Sequence, residues 1–246
     1  MNFHLRIWRQ EHADALGSFQ EIEAHDIPGE ASFLEMLDIV NNRLIQAHMI
    51  PVAFDSDCRE GICGTCSMVI NGIPQGPGRG AACQVYMRSF LEDSTITIEP
   101  FRVKAFPIIK DLVVMRSAYD RIIEAGGFIT EHTGGAPDAA ITLIDKKIAD
   151  HAMDAAACIG CGACAAACPN SSAMLFVGAK VTHLSLLPQG QPERAERVRS
   201  MVNAMDSEGL GNCSNYYACE AVCPANISAS VIATLNREFL KSQIRP

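Results

Sequence analysis

The sequence predicts an α+β protein of two domains, and three observations carry that reading. Apolar and polar side chains alternate through the first hundred residues around a single amphipathic segment; from about Phe106 the apolar spacing turns helical; and eleven cysteines fall into three spaced groups, one in the first part and two in the second. With 246 residues at 48% hydrophobic content, the chain can fill two modest cores. The boundary is expected near residues 101 to 110, separating 1–105 from 106–246.

Phe3, Leu5 and Ile7 alternate as a strand, and Phe19 and Ile22 mark a second. Ser32 followed by Glu35 is a capping-box pattern. It opens a helix in which Leu34, Leu37, Leu44 and Ile45 share a face, ending near Met49 before Pro51. Asn71-Gly72 after Ser67 to Ile70 signals a hairpin, and Pro74 to Gly80 reads as a surface loop. Thr95 to Ile98 is the closing strand, stopped by Pro100. Ile109, Leu112 and Val113 read as the start of the helical region, continued by Ile122 and Ile123 to Gly126-Gly127. Thr130 to Asp138 reads as a turn-rich surface loop, and beyond it helices alternate with cysteine-bearing loops.

Composition narrows the function. The net charge is −8 and the 20 Lys and Arg are dispersed, which argues against a nucleic-acid groove and for a protein or small-molecule partner. Residues 155–179 carry no charge, a length that would span a membrane, but four cysteines, Pro169, Asn170 and two serines would break such a helix. The expectation is a chain soluble by itself and at most peripheral to a membrane. Met1 to Asp14 lacks a leader pattern, and an odd cysteine count fits poorly with complete disulfide pairing, so a reducing compartment is expected.

Cys58, Cys63 and Cys66 have the C-x4-C-x2-C spacing of a plant-type [2Fe-2S] centre, with Cys83 as the fourth ligand. Gly61 and Gly64 let the loop turn its thiolates toward one point and free backbone N–H groups for the sulfurs. Four thiolates also suit zinc, but zinc ribbons pair two C-x2-C knuckles and this segment has one.

Cys158, Cys161, Cys164 and Cys168, followed by Pro169, match the bacterial two-cluster run, whose fourth cysteine serves the other cluster. The partner run reads Cys213, Tyr216, Cys219, Cys223, Pro224, with tyrosine where a cysteine is expected. Crossing the ligands assigns Cys158, Cys161, Cys164 and Cys223 to a [4Fe-4S] cluster and leaves Cys168, Cys213 and Cys219 for a [3Fe-4S] cluster, Tyr216 filling the vacant corner. A four-iron cluster with a Tyr216 phenolate is the alternative. His151 and His183 lie outside any ligand spacing and read as surface or core histidines. No dinucleotide fingerprint, P-loop or nucleophile elbow is present; Gly160 and Gly162 are spaced like part of a fingerprint but sit among cluster cysteines.

On these motifs the chain resembles the iron-sulfur (B) subunit of succinate dehydrogenase and fumarate reductase, respiratory complex II. The resemblance spans nearly the whole length: the domain order, Cys58-Arg59-x-Gly61-Ile62-Cys63-Gly64-x-Cys66, the run to Pro169, and the run to Pro224 with its non-cysteine at 216. It implies a β-grasp ferredoxin domain followed by an α-helical ferredoxin domain. It also implies an oxidoreductase subunit without a substrate site of its own, serving the tricarboxylic acid cycle. Electrons would pass from a FAD-containing dehydrogenase subunit through [2Fe-2S], [4Fe-4S] and [3Fe-4S] to a quinone at a haem-containing membrane anchor, on the cytoplasmic face of the bacterial cell membrane. Quinol:fumarate reductase would run the same chain in reverse.

Ubiquinone-linked members place a tryptophan shortly after the first Cys-Pro and a histidine after the first cysteine of the last run. Ala173 and Ser214 stand there instead. The stretch Phe176 to Gly190 resembles the variant found with a diheme (haem b), single-chain anchor that uses menaquinone. Ser171, Lys180 and His183 are candidates to contact quinone or anchor, with helix packing as the alternative for all three. From other classes, the chain could be a free ferredoxin shuttle or a structural zinc protein.

Overall fold

A computed structural model describes residues 1–130, 138 and 141–244. The predicted loop from Thr130 to Asp138 falls largely outside them. Strands β1 (Phe3–Arg9), β2 (Ser18–Ala24), β3 (Val69–Ile70), β4 (Ile73–Pro74) and β5 (Thr95–Glu99) form one sheet in the order β2-β1-β5-β3-β4. β1 and β5 run parallel at its centre, Leu5 opposite Ile96, while β2 and β3 pair antiparallel on either side.

The alternation in β1 sends Phe3, Leu5 and Ile7 inward, where with Ile96 and Ile98 they meet helix α1 (Phe33–Gln46) through Phe33, Leu34, Met36, Leu37 and Val40. Each fully buried side chain of this size contributes about 1.5–3 kcal/mol. The capping box is present: Ser32 Oγ accepts from the Glu35 N–H at 3.2 Å, and the Glu35 carboxylate accepts from the Ser32 N–H at 2.6 Å. The helix stops at Gln46, however, and Ile45 lies outside the buried face, 56% exposed.

The connection between domains differs from the helical expectation. Ile109 and Val113 belong to a two-stranded hairpin, β6 (Ile108–Lys110) and β7 (Val113–Val114). Its turn carries Asp111 at φ 47°. The buried Asp111 carboxylate accepts from the N–H of Gln10 and of Ala53, both at 2.9 Å, which ties the turn to the first domain and leaves no room for a helix. The two cores interleave here: Phe101, Val103 and Phe106 pack in the second, whereas Leu112 returns to the first.

Seven α-helices follow among the described residues: α2 (Ser117–Glu124), α3 (Lys146–Ala156), α4 (Ala163–Ala167), α5 (Met174–Leu186), α6 (Arg194–Ser207), α7 (Ala218–Ala221) and α8 (Ser230–Ile244). α5 is the central one, buried on most sides, and packs on α3, α6 and α8. The uncharged stretch 155–179 is broken into the end of α3, two loops, α4 and the first turns of α5. Among the described residues no helix is long and apolar enough to cross a membrane.

Candidate iron-sulfur sites

Cys58, Cys63 and Cys66 stand on the loop between α1 and β3, and Cys83 on a short 3-10 turn, Ala82–Gln84. Gly61 and Gly64 take φ of 76° and 72°, turning the loop back on itself. The N–H groups of Glu60 and Cys63 then donate to Cys58 Sγ at 3.3 and 3.4 Å. With the Glu60 amide contributing most, such bonds bring the Cys58 thiol down to about 7. Cys66 and Cys83 are buried neighbours, and burial pushes Cys66 up to about 12.

The Pro74 to Gly80 tract is the expected surface loop only in its second half, where Gly78 and Arg79 are exposed. Its first half is buried, and Gln75, at 0% exposure and φ 69°, lies against the site. Gln75 Oε1 accepts from the Ala82 N–H at 2.8 Å and stands 4.0 Å from Cys66 Sγ. Its Nε2 has no hydrogen-bond partner among the described residues. A buried donor left unpaired costs about 1–3 kcal/mol, so this amide beside Cys66 and Cys83 fits a site that holds further sulfur acceptors.

The second and third groups surround two cavities. Cys158, Cys161 and Cys164 of the first run are joined by Cys223 of the last around one of them, together with Tyr119, Leu175 and Phe176. Cys168 is joined instead by Cys213 and Cys219 around the other, bordered by Tyr216 and again by Leu175. Leu175, 3% exposed, is therefore a wall of both. Around the cavity of the second group, hereafter the second cavity, burial raises the thiols, Cys161 to about 11 and Cys164 well above its usual range. Such a set becomes thiolate only when metal supplies compensating charge. In each set the sulfurs line a common space, the arrangement that a many-atom cluster needs.

At the third group the Asn215 N–H points at Cys213 Sγ from 3.5 Å, and burial raises Cys219. Tyr216 borders the cavity while remaining 62% exposed. His183 and His151 line neither cavity. Lys180 lies near enough for its charge to oppose the burial that raises Cys158, whereas Ser171 adjoins the third cavity only through Ser172.

The first group meets the second directly. Ser67 Oγ lies 3.0 Å from the Cys161 carbonyl, and a crevice between the domains is lined by Cys63, Arg116, Tyr119, Ile159, Gly160 and Phe176. Four of those, Tyr119, Ile159, Gly160 and Phe176, also line the second cavity. Sequence reasoning had no signal for Gln75, Tyr119 or Leu175, which carry no ligand spacing.

A small sheet and a helical domain presenting eleven unpaired thiols in these groups define an iron-sulfur electron-transfer protein. The model of a 2Fe-2S iron-sulfur cluster binding domain matches residues 4–121, and that of a 4Fe-4S dicluster domain matches residues 154–227. The succinate dehydrogenase iron-sulfur subunit of Bacillus subtilis is 30% identical over 94% of this chain and 90% of its own length. The fumarate reductase iron-sulfur subunit of Wolinella succinogenes is 30% identical over 96% of each. In fold, a chain of the Mycobacterium smegmatis Sdh1 complex in the apo form matches with a TM-score of 0.71 at 22% identity, covering 100% of this chain and 98% of that one. The chain belongs to the family of succinate dehydrogenase and fumarate reductase iron-sulfur subunits, components of an oxidoreductase.

Proposed function

We propose that this chain relays single electrons between a FAD-containing dehydrogenase subunit and a quinone at a membrane anchor, within a succinate:quinone oxidoreductase. Cys58, Cys63, Cys66 and Cys83 hold a [2Fe-2S] cluster; Cys158, Cys161, Cys164 and Cys223 hold a [4Fe-4S] cluster; Cys168, Cys213 and Cys219 hold a [3Fe-4S] cluster. Bound clusters supply one-electron redox chemistry, and the protein supplies their spacing, burial and hydrogen bonds.

The observation that carries the reading is the sharing of walls. Tyr119, Ile159, Gly160 and Phe176 line both the crevice at Cys63 and the second cavity, and Leu175 lines both that cavity and the third. Three sites joined in succession by shared lining residues suit a wire. The crossing of Cys223 and Cys168 between runs supports the ligand sets. Succinate and fumarate are named for the relatives, and a menaquinone-linked, haem b anchor at the cytoplasmic face is the matching partner.

The test is purification of the tagged chain from its native membranes. A co-purifying flavoprotein and haem-containing membrane subunit, with clusters reduced on adding succinate, is the expected result. A chain purifying alone and unreduced by succinate or by a reduced quinone analogue would overturn it.

A further inference from the structure

Tyr119 enters the second site from α2, far in sequence from its cysteines. Its hydroxyl lies 3.3 Å from Cys164 Sγ. The residue is 4% exposed, its ring stacked on Phe176 with centroids 3.9 Å apart and planes 8° from parallel, and edge-on to Phe106 at 5.1 Å. Clamped in this way, the ring cannot swing the hydroxyl elsewhere. Among the described residues Cys164 is the hydroxyl's one hydrogen-bond partner.

A phenylalanine would fill the same space, so packing gives no reason for the oxygen. Burying a hydroxyl costs free energy unless a partner takes its hydrogen. A thiolate only accepts, so the hydrogen must come from Tyr119, and a hydrogen bond to a charged group is the stronger kind. We propose, on the basis of the relay described above, that Tyr119 is a positioning residue: by donating to the Cys164 thiolate it raises the reduction potential of the centre held by Cys158, Cys161, Cys164 and Cys223.

One-electron reduction adds a negative charge that spreads over the sulfurs. The Tyr119 hydrogen bond therefore strengthens in the reduced state, which favours it. No proton moves and no bond breaks; one electron arrives as the neighbouring centre loses one. Standing also in the crevice that reaches Cys63, Tyr119 is placed to hold the middle of the relay within reach of the first site.

Potentiometric titration of the whole complex, followed by electron paramagnetic resonance, tests this in two variants. Tyr119→Phe removes only the oxygen and should shift the reduction equilibrium of the four-iron centre roughly three- to tenfold toward the oxidised form, tenfold being 59 mV for one electron, with the other two centres unmoved. Incorporating 3-fluorotyrosine in place of Tyr119 makes a stronger donor and should shift the same centre the opposite way. Unchanged potentials in a fully loaded complex would overturn the proposal, as would loss of the centre in the Phe variant beside an unshifted fluorotyrosine variant. If the unaltered complex shows no four-iron signal, it is the relay that fails and not the role of Tyr119.

Discussion

Gly64 lies directly against the Ile159 carbonyl: a Cβ at position 64 would stand 2.5 Å from that oxygen. The loop of the first site and the loop of the second thus touch through backbone, with Ser67 fastened to the Cys161 carbonyl beside them. Gly64 also takes a φ of 72°. Gly64→Ala should therefore cost about 1–2 kcal/mol from the left-handed backbone alone, with the overlap adding to it. The expected outcome is a lower unfolding temperature together with altered spectra of both neighbouring centres; a change confined to one centre would contradict the contact.

Asp111 ties the connecting hairpin to the first domain. Its carboxylate takes two backbone N–H groups, and Arg9 Nε stands 3.2 Å away, in a place where Asp111 is 3% exposed. Asp111→Ala should cost about 3–5 kcal/mol, since it leaves both amides without their acceptor and the Arg9 charge without its counter-ion. Denaturant unfolding measures it, and a loss below about 1 kcal/mol would show that water replaces the carboxylate.

Glu238 gives the helical domain an acid-sensitive contact. Burial pushes its carboxyl up, but Arg194 at 2.6 Å and Lys241 at 3.2 Å outweigh that and hold it below the ordinary 4.5. A depressed folded-state pKa contributes stability that is present above the unfolded value and lost as pH falls through the folded one. Glu238→Gln should thus be less stable than the unaltered protein at neutral pH, by about 1 kcal/mol, with the difference shrinking below pH 4.5. Unfolding midpoints across pH check this, and a constant difference would contradict it.

Tyr216 stands where the last run lacks a cysteine, at the border of the third cavity. Tyr216→Cys should supply a fourth thiolate and favour a four-iron cluster at a lower potential. A retained three-iron spectrum would show that position 216 does not face the vacant corner.

What the sequence revealed depended on how local the cause was. Cysteine spacing is local, and the two runs set side by side suggest the same grouping, Cys223 beside the first run and Cys168 beside the last, that the linings of the two cavities display. The capping box at Ser32 and Glu35 is equally local. The hairpin at Asp111 was misread as helix because its cause lies in partners at Gln10 and Ala53, remote in sequence, while Ile109, Leu112 and Val113 mimic a helical face. Gln75 was lost for a related reason: a Gly- and Pro-rich tract reads as surface, and only the packing shows its side chain beneath Cys66. Ile45 sits in the last turn of α1, where Leu44 still enters the core and Ile45 is left exposed.

The central claim is three centres of different iron count in one row, and low-temperature electron paramagnetic resonance of the intact complex, oxidised and then reduced stepwise, tests it most directly. The account predicts a three-iron signal in the oxidised protein that disappears first, with two-iron and four-iron signals emerging on further reduction and spin coupling between neighbours. Zinc in place of iron, or an oxidised protein with no three-iron signal, would contradict it.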